Sequence, residues 1–203
     1  FMPATIDKPG KAMAMALHGR WAAGPQPFRG ADAWMLVGAN PIVSKSIGAP
    51  PHNPSGALHE AVKSGMQIIV IDPRRTEAAR LAAVHLQCRP GEDPTVIGGL
   101  IRAILAGALH DQAFVREHAT GVEALRQAVE PFTPEYVERR ADVPRELLLR
   151  AARIFATGRQ GFAVVGTGPN MAPRGTLTEY LTLCLNTLCG RWLRAGEPLP
   201  NPG

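Results

Sequence analysis

The run Ile68-Ile69-Val70-Ile71-Asp72-Pro73-Arg74-Arg75 decides the fold class. Four consecutive β-branched residues favour extended backbone, because branching at Cβ restricts χ1 and packs well on a pleated surface. All four are apolar, as a strand covered on both faces requires. Pro73 has no N–H to give a ladder, so the strand stops at Asp72-Pro73. The same grammar repeats outward. Upstream, Ala33-Trp34-Met35-Leu36-Val37 is a continuously apolar run closed by Gly38. Downstream, residues 84–88 read as a third short strand, and Phe162-Ala163-Val164-Val165, closed by Gly166, as a fourth.

Helical patterns separate these strands. Residues 57–64 form an amphipathic helix stopped by Gly65, and residues 76–83 a short helix or turn. Asp93-Pro94 opens a helix that runs to Leu105, with Asp93 as N-cap and Pro94 in the first helical position. Residues 111–118, 121–130 and 134–139 read as short helices, 144–156 as a longer amphipathic one, and 176–188 as the last, closed by Gly190. Residues 38–56, rich in Gly, Pro, Ser and Asn, read as loop. Residues 1–30 read as loop, one short helix over residues 11–17, and loop again. Apolar strands alternating with helices predict an α/β fold: a three-layer αβα, Rossmann-like domain with a mainly parallel sheet. The helices of 94–157 are expected to form a layer of that same domain. The expected organisation is a lead-in over 1–30 and a ligand-binding domain over 31–203.

Composition narrows the partners. The 203 residues suit one large domain, and 45% apolar with 19% charged residues is ordinary for a globular chain. A net charge of +5, with a pI near 9.6, favours anions such as phosphate groups or acidic partners. No dense basic run marks a nucleic-acid partner, and no stretch approaches the roughly 18 apolar residues of a membrane helix. No signal-peptide pattern opens at Phe1, so the compartment stays open between cytoplasm and periplasm. A first residue other than Met and a proline-rich close over 198–203 are expected of a piece of a longer polypeptide. Cys88, Cys184 and Cys189 are a poor disulfide framework, and Cys184 and Cys189, five apart and without metal-clip spacing, read as core packing on a helix. His18, His59, His85, His110 and His118 show no ligand spacing, while His52 lies in the 38–56 loop beside the strand ends. Trp21, Trp34 and Trp192 read as packing anchors.

In open parallel sheets ligands bind at the carboxyl ends of the strands. Four turns gather there: Gly38-Ala39-Asn40-Pro41, Asp72-Pro73-Arg74-Arg75-Thr76, Arg89-Pro90-Gly91-Glu92-Asp93 and Gly166-Thr167-Gly168-Pro169-Asn170. Gly38, Gly166 and Gly168 let backbone approach a ligand and bare N–H groups meet phosphate. Asp72 can accept from ribose hydroxyls. Arg74 or Arg75 can clamp a phosphate, or can instead be solvated or pair with Glu77. Asp93 has two acceptor oxygens matched to the adjacent N–H donors of guanine, or serves only as a helix cap. A Gly-x-Gly-x-x-Gly after the first strand is missing, which argues against an ordinary NAD fold.

These turns, in this order, resemble the molybdopterin oxidoreductase family of formate dehydrogenases, nitrate reductases and dimethyl sulfoxide reductases. The resemblance is carried by Val37-Gly38-Ala39-Asn40-Pro41, by Ile69 to Ala79, by Cys88-Arg89-Pro90-Gly91-Glu92-Asp93, and by Asp111-Gln112-Ala113-Phe114-Val115. Phe132-Thr133-Pro134-Glu135, Ala151 to Ala156, Gly166-Thr167-Gly168 and Leu188-Cys189-Gly190 with Asn201-Pro202-Gly203 add to it. It covers the chain from about residue 31 onward. It implies an excised domain that holds one molybdopterin guanine dinucleotide, the cofactor that chelates molybdenum or tungsten. By the resemblance Gly38, Asn40 and Ser44 line the dinucleotide, Asp72 and Arg74 hold ribose and phosphate, Asp93 the guanine, and Gly166 and Gly168 the pyrophosphate or pterin side. The metal-ligating Cys, selenocysteine or Ser, the iron–sulfur cluster and a β-barrel are implied outside this segment. Other domains of the parent enzyme and an electron carrier are the implied partners, in an anaerobic-dehydrogenase type of electron transfer. No catalytic or metal-ligating residue is expected in the segment, which is expected to be inactive alone. Two departures stand out: Met171-Ala172 where many members have Gln-His, and Cys189-Gly190-Arg191 where many have Thr-Gly-Asn. Two other readings remain: the central nucleotide-binding domain of a thiamine-diphosphate enzyme, and a non-catalytic interaction module with a basic face.

Overall fold

The computed structural model describes residues 9–45 and 48–197, so the expectations for the proline-rich tail and the first eight residues lie outside the described residues. Its centre is a four-stranded parallel sheet in the order β3-β2-β1-β4. The strands are β1 (Ala33–Val37), β2 (Gln67–Ile71), β3 (Val84–Leu86) and β4 (Gly161–Val165). Register runs Ala33 opposite Gln67 and Gly161, through Val37 opposite Ile71 and Val165.

Both faces of the sheet are buried, as the β-branched run requires. Met35, Val37, Ile69 and Ile71 join one core, and Trp34, Leu36, Ile68 and Val70 the other. The first core is closed by α5 (Asp93–Ala106), α9 (Arg145–Thr157) and α11 (Gly175–Leu188), with α6 (Gln112–His118), α7 (Val122–Val129) and α8 (Pro134–Ala141) packed behind. The second core is closed by α3 (Pro54–Lys63) and α4 (Glu77–Leu81). The fold is therefore a three-layer αβα sandwich. α5 is its central helix: Val96, Ile97, Leu100, Ile101 and Ile104 are fully buried. Each such side chain contributes about 1.5–3 kcal/mol by leaving water. The helices of 94–157 indeed belong to this layer. α1 (Pro9–His18) lies alongside α11, with the backbone of Gly10 against Thr176.

β4 is an edge strand, and the chain plugs its open side with side chains. Gln26 Oε1 accepts from Gly161 N at 2.9 Å. Asn186 of α11 accepts from Ala163 N at 2.8 Å and donates to Ala163 O at 3.0 Å. Lys11 Nζ reaches Val165 O at 3.4 Å. Side chains thus meet outward backbone groups at Gly161, Ala163 and Val165, which hinders edge-to-edge pairing.

Several helix starts follow their caps. Thr76, Asp111 and Thr133 each accept from a backbone N–H three residues on. Four local expectations are corrected. The 38–56 loop contains a short helix, α2 (Pro41–Ser44), and the first turn of α3, because Pro41 and Pro54 each sit in a first helical position and Asn53 caps Gly56 N at 3.0 Å. The third strand ends at Leu86, where Gln87 leaves the ladder and donates to Pro73 O at 2.9 Å. The turn after β4 winds into α10 (Thr167–Met171). Asp93 is not the N-cap of α5: the helix begins at Asp93 and Glu92 holds the cap position without a side-chain cap bond. Glu92 is engaged elsewhere, since Arg140 and Arg174 hold its Oε1 at 2.9 and 3.1 Å.

Candidate functional site

The carboxyl end of β1 meets those of β2 and β4 backbone to backbone. Gly38 N donates to Ile71 O at 2.7 Å and Gly166 N to Val37 O at 2.8 Å. Gly38 has φ +55°, and a Cβ there would overlap the Pro169 ring. A Cβ on Gly166 would overlap the carbonyl of Gly38. Both positions therefore need glycine, one for left-handed backbone and close approach, the other for close approach alone. A Cβ on Gly168 would meet nothing within 4 Å, so that backbone faces open space.

This junction floors a cleft of about 210 Å³ lined by Gly38, Ala39, Asn40, Val43, Ser44, Arg74, Gly166, Thr167 and Gly168. Six of the sequence-selected positions thus converge: Gly38, Asn40, Ser44, Arg74, Gly166 and Gly168. They arrive from the ends of three strands, as the parallel-sheet argument demands. Asn40 Nδ2 donates to Glu77 Oε2 at 2.6 Å, whereas the buried Asn40 Oδ1 has no partner among the described residues. The Glu77 carboxyl is held below its usual range by its own backbone N–H, then by the Asn40 amide and the cations of Arg80 and Arg74. Arg74 stands exposed on the rim. The lining offers backbone N–H groups, the Asn40 amide, the Ser44 and Thr167 hydroxyls and the Arg74 guanidinium, a set that can grip an anionic or polar ligand.

Asp72 and Asp93 do not line this cleft; both are buried beside it. Asp72 Oδ1 accepts from Arg74 N at 2.8 Å, which turns the chain so that Arg74 faces the cleft. The Asp72 carbonyl takes His85 Nε2 at 2.9 Å. Asp93 Oδ1 is buried without a partner among the described residues. Burial pushes the Asp93 carboxyl up, and the like charges of Asp72 and Glu92 add to this against its own backbone N–H and Arg174. Glu92 next to it goes the other way. Burial raises it, but the Thr95 hydroxyl and the Arg140 and Arg174 guanidinia prevail and hold it low. Cys88 is pushed up to about 12 by burial and then by Asp93, so its thiol stays protonated and inert. His52 does not line the cleft.

Sequence reasoning missed Glu77 as the residue that orients Asn40, and Glu92 as the clamp between the α5 loop, α8 and Arg174. The signal for Glu92 was a carboxylate wedged between Gly91 and Asp93 in a chain rich in arginine. Arg191, at a departing position, turns inward: its Nη1 donates to Gly158 O at 2.7 Å and its Nη2 to Phe155 O, closing the carboxyl end of α9.

No family model matches the chain. It is 31% identical to formate dehydrogenase H of Escherichia coli over 159 residues, which is 78% of this chain and 21% of that protein. It is 34% identical to acetylene hydratase of Syntrophotalea acetylenica over 145 residues, 71% of this chain and 20% of the relative. It is 31% identical to a probable oxidoreductase, YoaE, of Bacillus subtilis over 137 residues, 68% of this chain and 20% of the relative. The chain thus spans about a fifth of the length of these curated relatives. The solved structure of acetylene hydratase from Pelobacter acetylenicus superposes with a TM-score of 0.80 at 22% identity, covering 95% of this chain and 25% of that one.

Proposed function

The chain belongs to the molybdopterin oxidoreductase family, and from that premise we propose that residues 31–203 form the domain that holds a molybdopterin guanine dinucleotide. The observation that carries the reading is the convergence of Gly38, Asn40, Ser44, Arg74, Gly166 and Gly168 on one cleft at the carboxyl edge of the sheet.

The residues fit such a group. A dinucleotide brings an anionic pyrophosphate, ribose hydroxyls and a base with adjacent N–H donors. Arg74 supplies the cation, Gly168 open backbone, Ser44 and Thr167 hydroxyls, and Asn40 an acceptor that has no partner among the described residues. At about 210 Å³ the cleft is smaller than the roughly 300–1,000 Å³ of ordinary ligand pockets, so it holds one section of a dinucleotide and not the whole. Asp93, with a buried oxygen still to be satisfied, takes the guanine end, and Asp72 fixes the Arg74 turn beside the ribose.

When bound, the group supplies two-electron redox chemistry at its molybdenum or tungsten. This chain binds and orients it, and contributes no metal ligand. The parent oxidoreductase would pass electrons between a formate-like, oxyanion or S/N-oxide substrate and an electron carrier, with its other domains completing the site.

The test is titration calorimetry with GDP and ADP on the parent enzyme freed of cofactor. Asp93→Ala should weaken GDP at least about tenfold, which is about 1.4 kcal/mol, and leave ADP unchanged. Its melting temperature should move by no more than about 2 °C. Unchanged GDP affinity together with a large loss of melting temperature would reduce Asp93 to a helix-start residue. Preference for ADP over GDP in the unmodified protein would overturn the guanine assignment.

A further inference from the structure

The edge of the sheet opposite the cleft, where β1 and β4 begin, carries a polar cavity of its own. It measures about 480 Å³ and is walled by Arg159, Arg191, Arg194, His110, Asp111 and Glu197 with neighbouring backbone. That volume lies within the roughly 300–1,000 Å³ of ordinary ligand pockets. Three segments build it: the loop after α9, the residues after α11 and the turn before α6. Gly158, in the same wall, packs against Ala33 at the start of β1.

Arg191 is the residue that asks for an anion. It is 1% exposed, and it forms no ion pair among the described residues. Two of its nitrogens donate to the Gly158 and Phe155 carbonyls, while its buried Nε has no partner among the described residues. The end of a helix carries about half a negative charge, so the last carbonyls of α9 offset only part of a full cation. The nearby carboxylates are engaged elsewhere. Asp32 pairs with Arg159 at 3.4 Å and accepts from Gln160 N at 3.0 Å. Asp111 pairs with Arg194 at 2.9 Å and caps Phe114 N, and Glu197 accepts from Arg194 N at 2.8 Å. Burial works against the Arg191 charge more than Cys189, Asp32 and Asp111 support it. A buried ion in this position is strongly disfavoured unless an opposite charge comes near.

A second orphan shares the wall. His110 Nδ1 is buried and has no partner among the described residues. Burial, then Arg126, holds the ring below its ordinary range against the pull of Asp111, so at neutral pH it is uncharged with one N–H to give. Arg194 spends Nη2 on Asp111 Oδ2 and on Gly190 O, one nitrogen of a five-donor fork.

We propose that this cavity binds a small free oxyanion, held by Arg194 and His110 over the fixed charge of Arg191. An oxyanion suits the donors, because a guanidinium meets two oxygens at once and a halide has no such pair. Arg191 acts from within the wall, where water screens a charge less than at the surface. Cys189, on the same lining, adds no competing negative charge: burial pushes its thiol up to about 12 although Arg191 pulls the other way. The inference uses no residue of the cofactor cleft, so it stands or falls separately from the nucleotide reading.

The experiment is titration calorimetry of sodium acetate and, separately, sodium sulfate into the full-length parent enzyme, with ionic strength held constant by sodium chloride. At least one should bind with a Kd of about 1 mM or tighter, and the tighter of the two tells a carboxylate site from a tetrahedral-anion site. Arg191→Gln and Arg194→Gln should each weaken that binding at least about tenfold. Arg194 is half-buried, so its variant decides the matter even where Arg191→Gln fails to fold. Arg74→Ala, at the other edge of the sheet, should leave the anion affinity as it was. Binding of neither anion, as when the parent's own chain fills the cavity, overturns the proposal. So does affinity unchanged in Arg194→Gln, or affinity lost in Arg74→Ala, since either places the anion elsewhere.

Discussion

Two regions of the sheet leave backbone or polar groups without a strand partner, and the molecule treats them in opposite ways. Along the free edge of β4, Gln26, Asn186 and Lys11 spend their polar atoms on Gly161, Ala163 and Val165. At the start of β1, Asp32 similarly uses both oxygens on the N–H groups of Arg159 and Gln160. At the carboxyl ends, Asn40 Oδ1 and Asp93 Oδ1 are buried without a partner among the described residues, and Arg74 stands open. A buried acceptor without a donor costs roughly 1–3 kcal/mol. Under the proposed function, a ligand at the carboxyl ends would supply the donors that these two acceptors lack among the described residues.

The strongest way to break this contrast is at the plugged edge. Asn186→Leu strands the N–H and C=O of Ala163 in the core, and should lower stability by about 3 kcal/mol, seen as a drop in the urea midpoint with an unchanged slope. A loss below about 1 kcal/mol would show that the edge is satisfied by other means. Next comes Gly166→Ala, which forces a Cβ onto the Gly38 carbonyl. Overpacking of this kind costs about 1–3 kcal/mol, and nucleotide affinity should fall with it because the cleft floor shifts. Wild-type affinity in a folded Gly166→Ala protein would remove the floor from the site.

The third test uses pH. The Asp93 carboxyl binds its proton more tightly folded than unfolded, because burial and neighbouring carboxylates penalise its charge. Its contribution to stability is therefore present at low pH and lost as pH rises from its ordinary value of 3.8 through the raised folded value. Asp93→Asn removes that loss. The variant should match the parent protein in acid and exceed it in melting temperature at neutral pH. An Asn variant less stable at neutral pH would mean that the orphaned oxygen has a partner. The smallest effect on stability belongs to Arg74→Ala, within about 0.5 kcal/mol because the side chain is exposed. Its nucleotide affinity should nonetheless fall and become less sensitive to salt, since a screened charge pair has been removed.

The amino-acid sequence determined the four strands, their burial on both faces and the alternation with helices, because β-branched apolar runs such as 68–71 are read from local chemistry alone. It also determined which glycines and polar turns lie at strand ends, because Gly and Pro punctuate strands locally. Two short helices, the true cap position at Glu92 and the end of the third strand escaped it, because one-turn helices and cap choice depend on what neighbouring side chains are already holding. Asn186 was hidden inside an apolar helix pattern, and its meaning as an edge plug exists only once α11 lies beside β4. Only the tertiary structure decided that six selected residues share one cleft while Asp72 and Asp93 sit buried beside it, and that the apolar side of α1 faces outward. The reason is physical: a residue's type sets what it can bond, but parallel crossovers place strand ends tens of residues apart in sequence within a few ångströms, and the packing of those ends sets which atoms are left over.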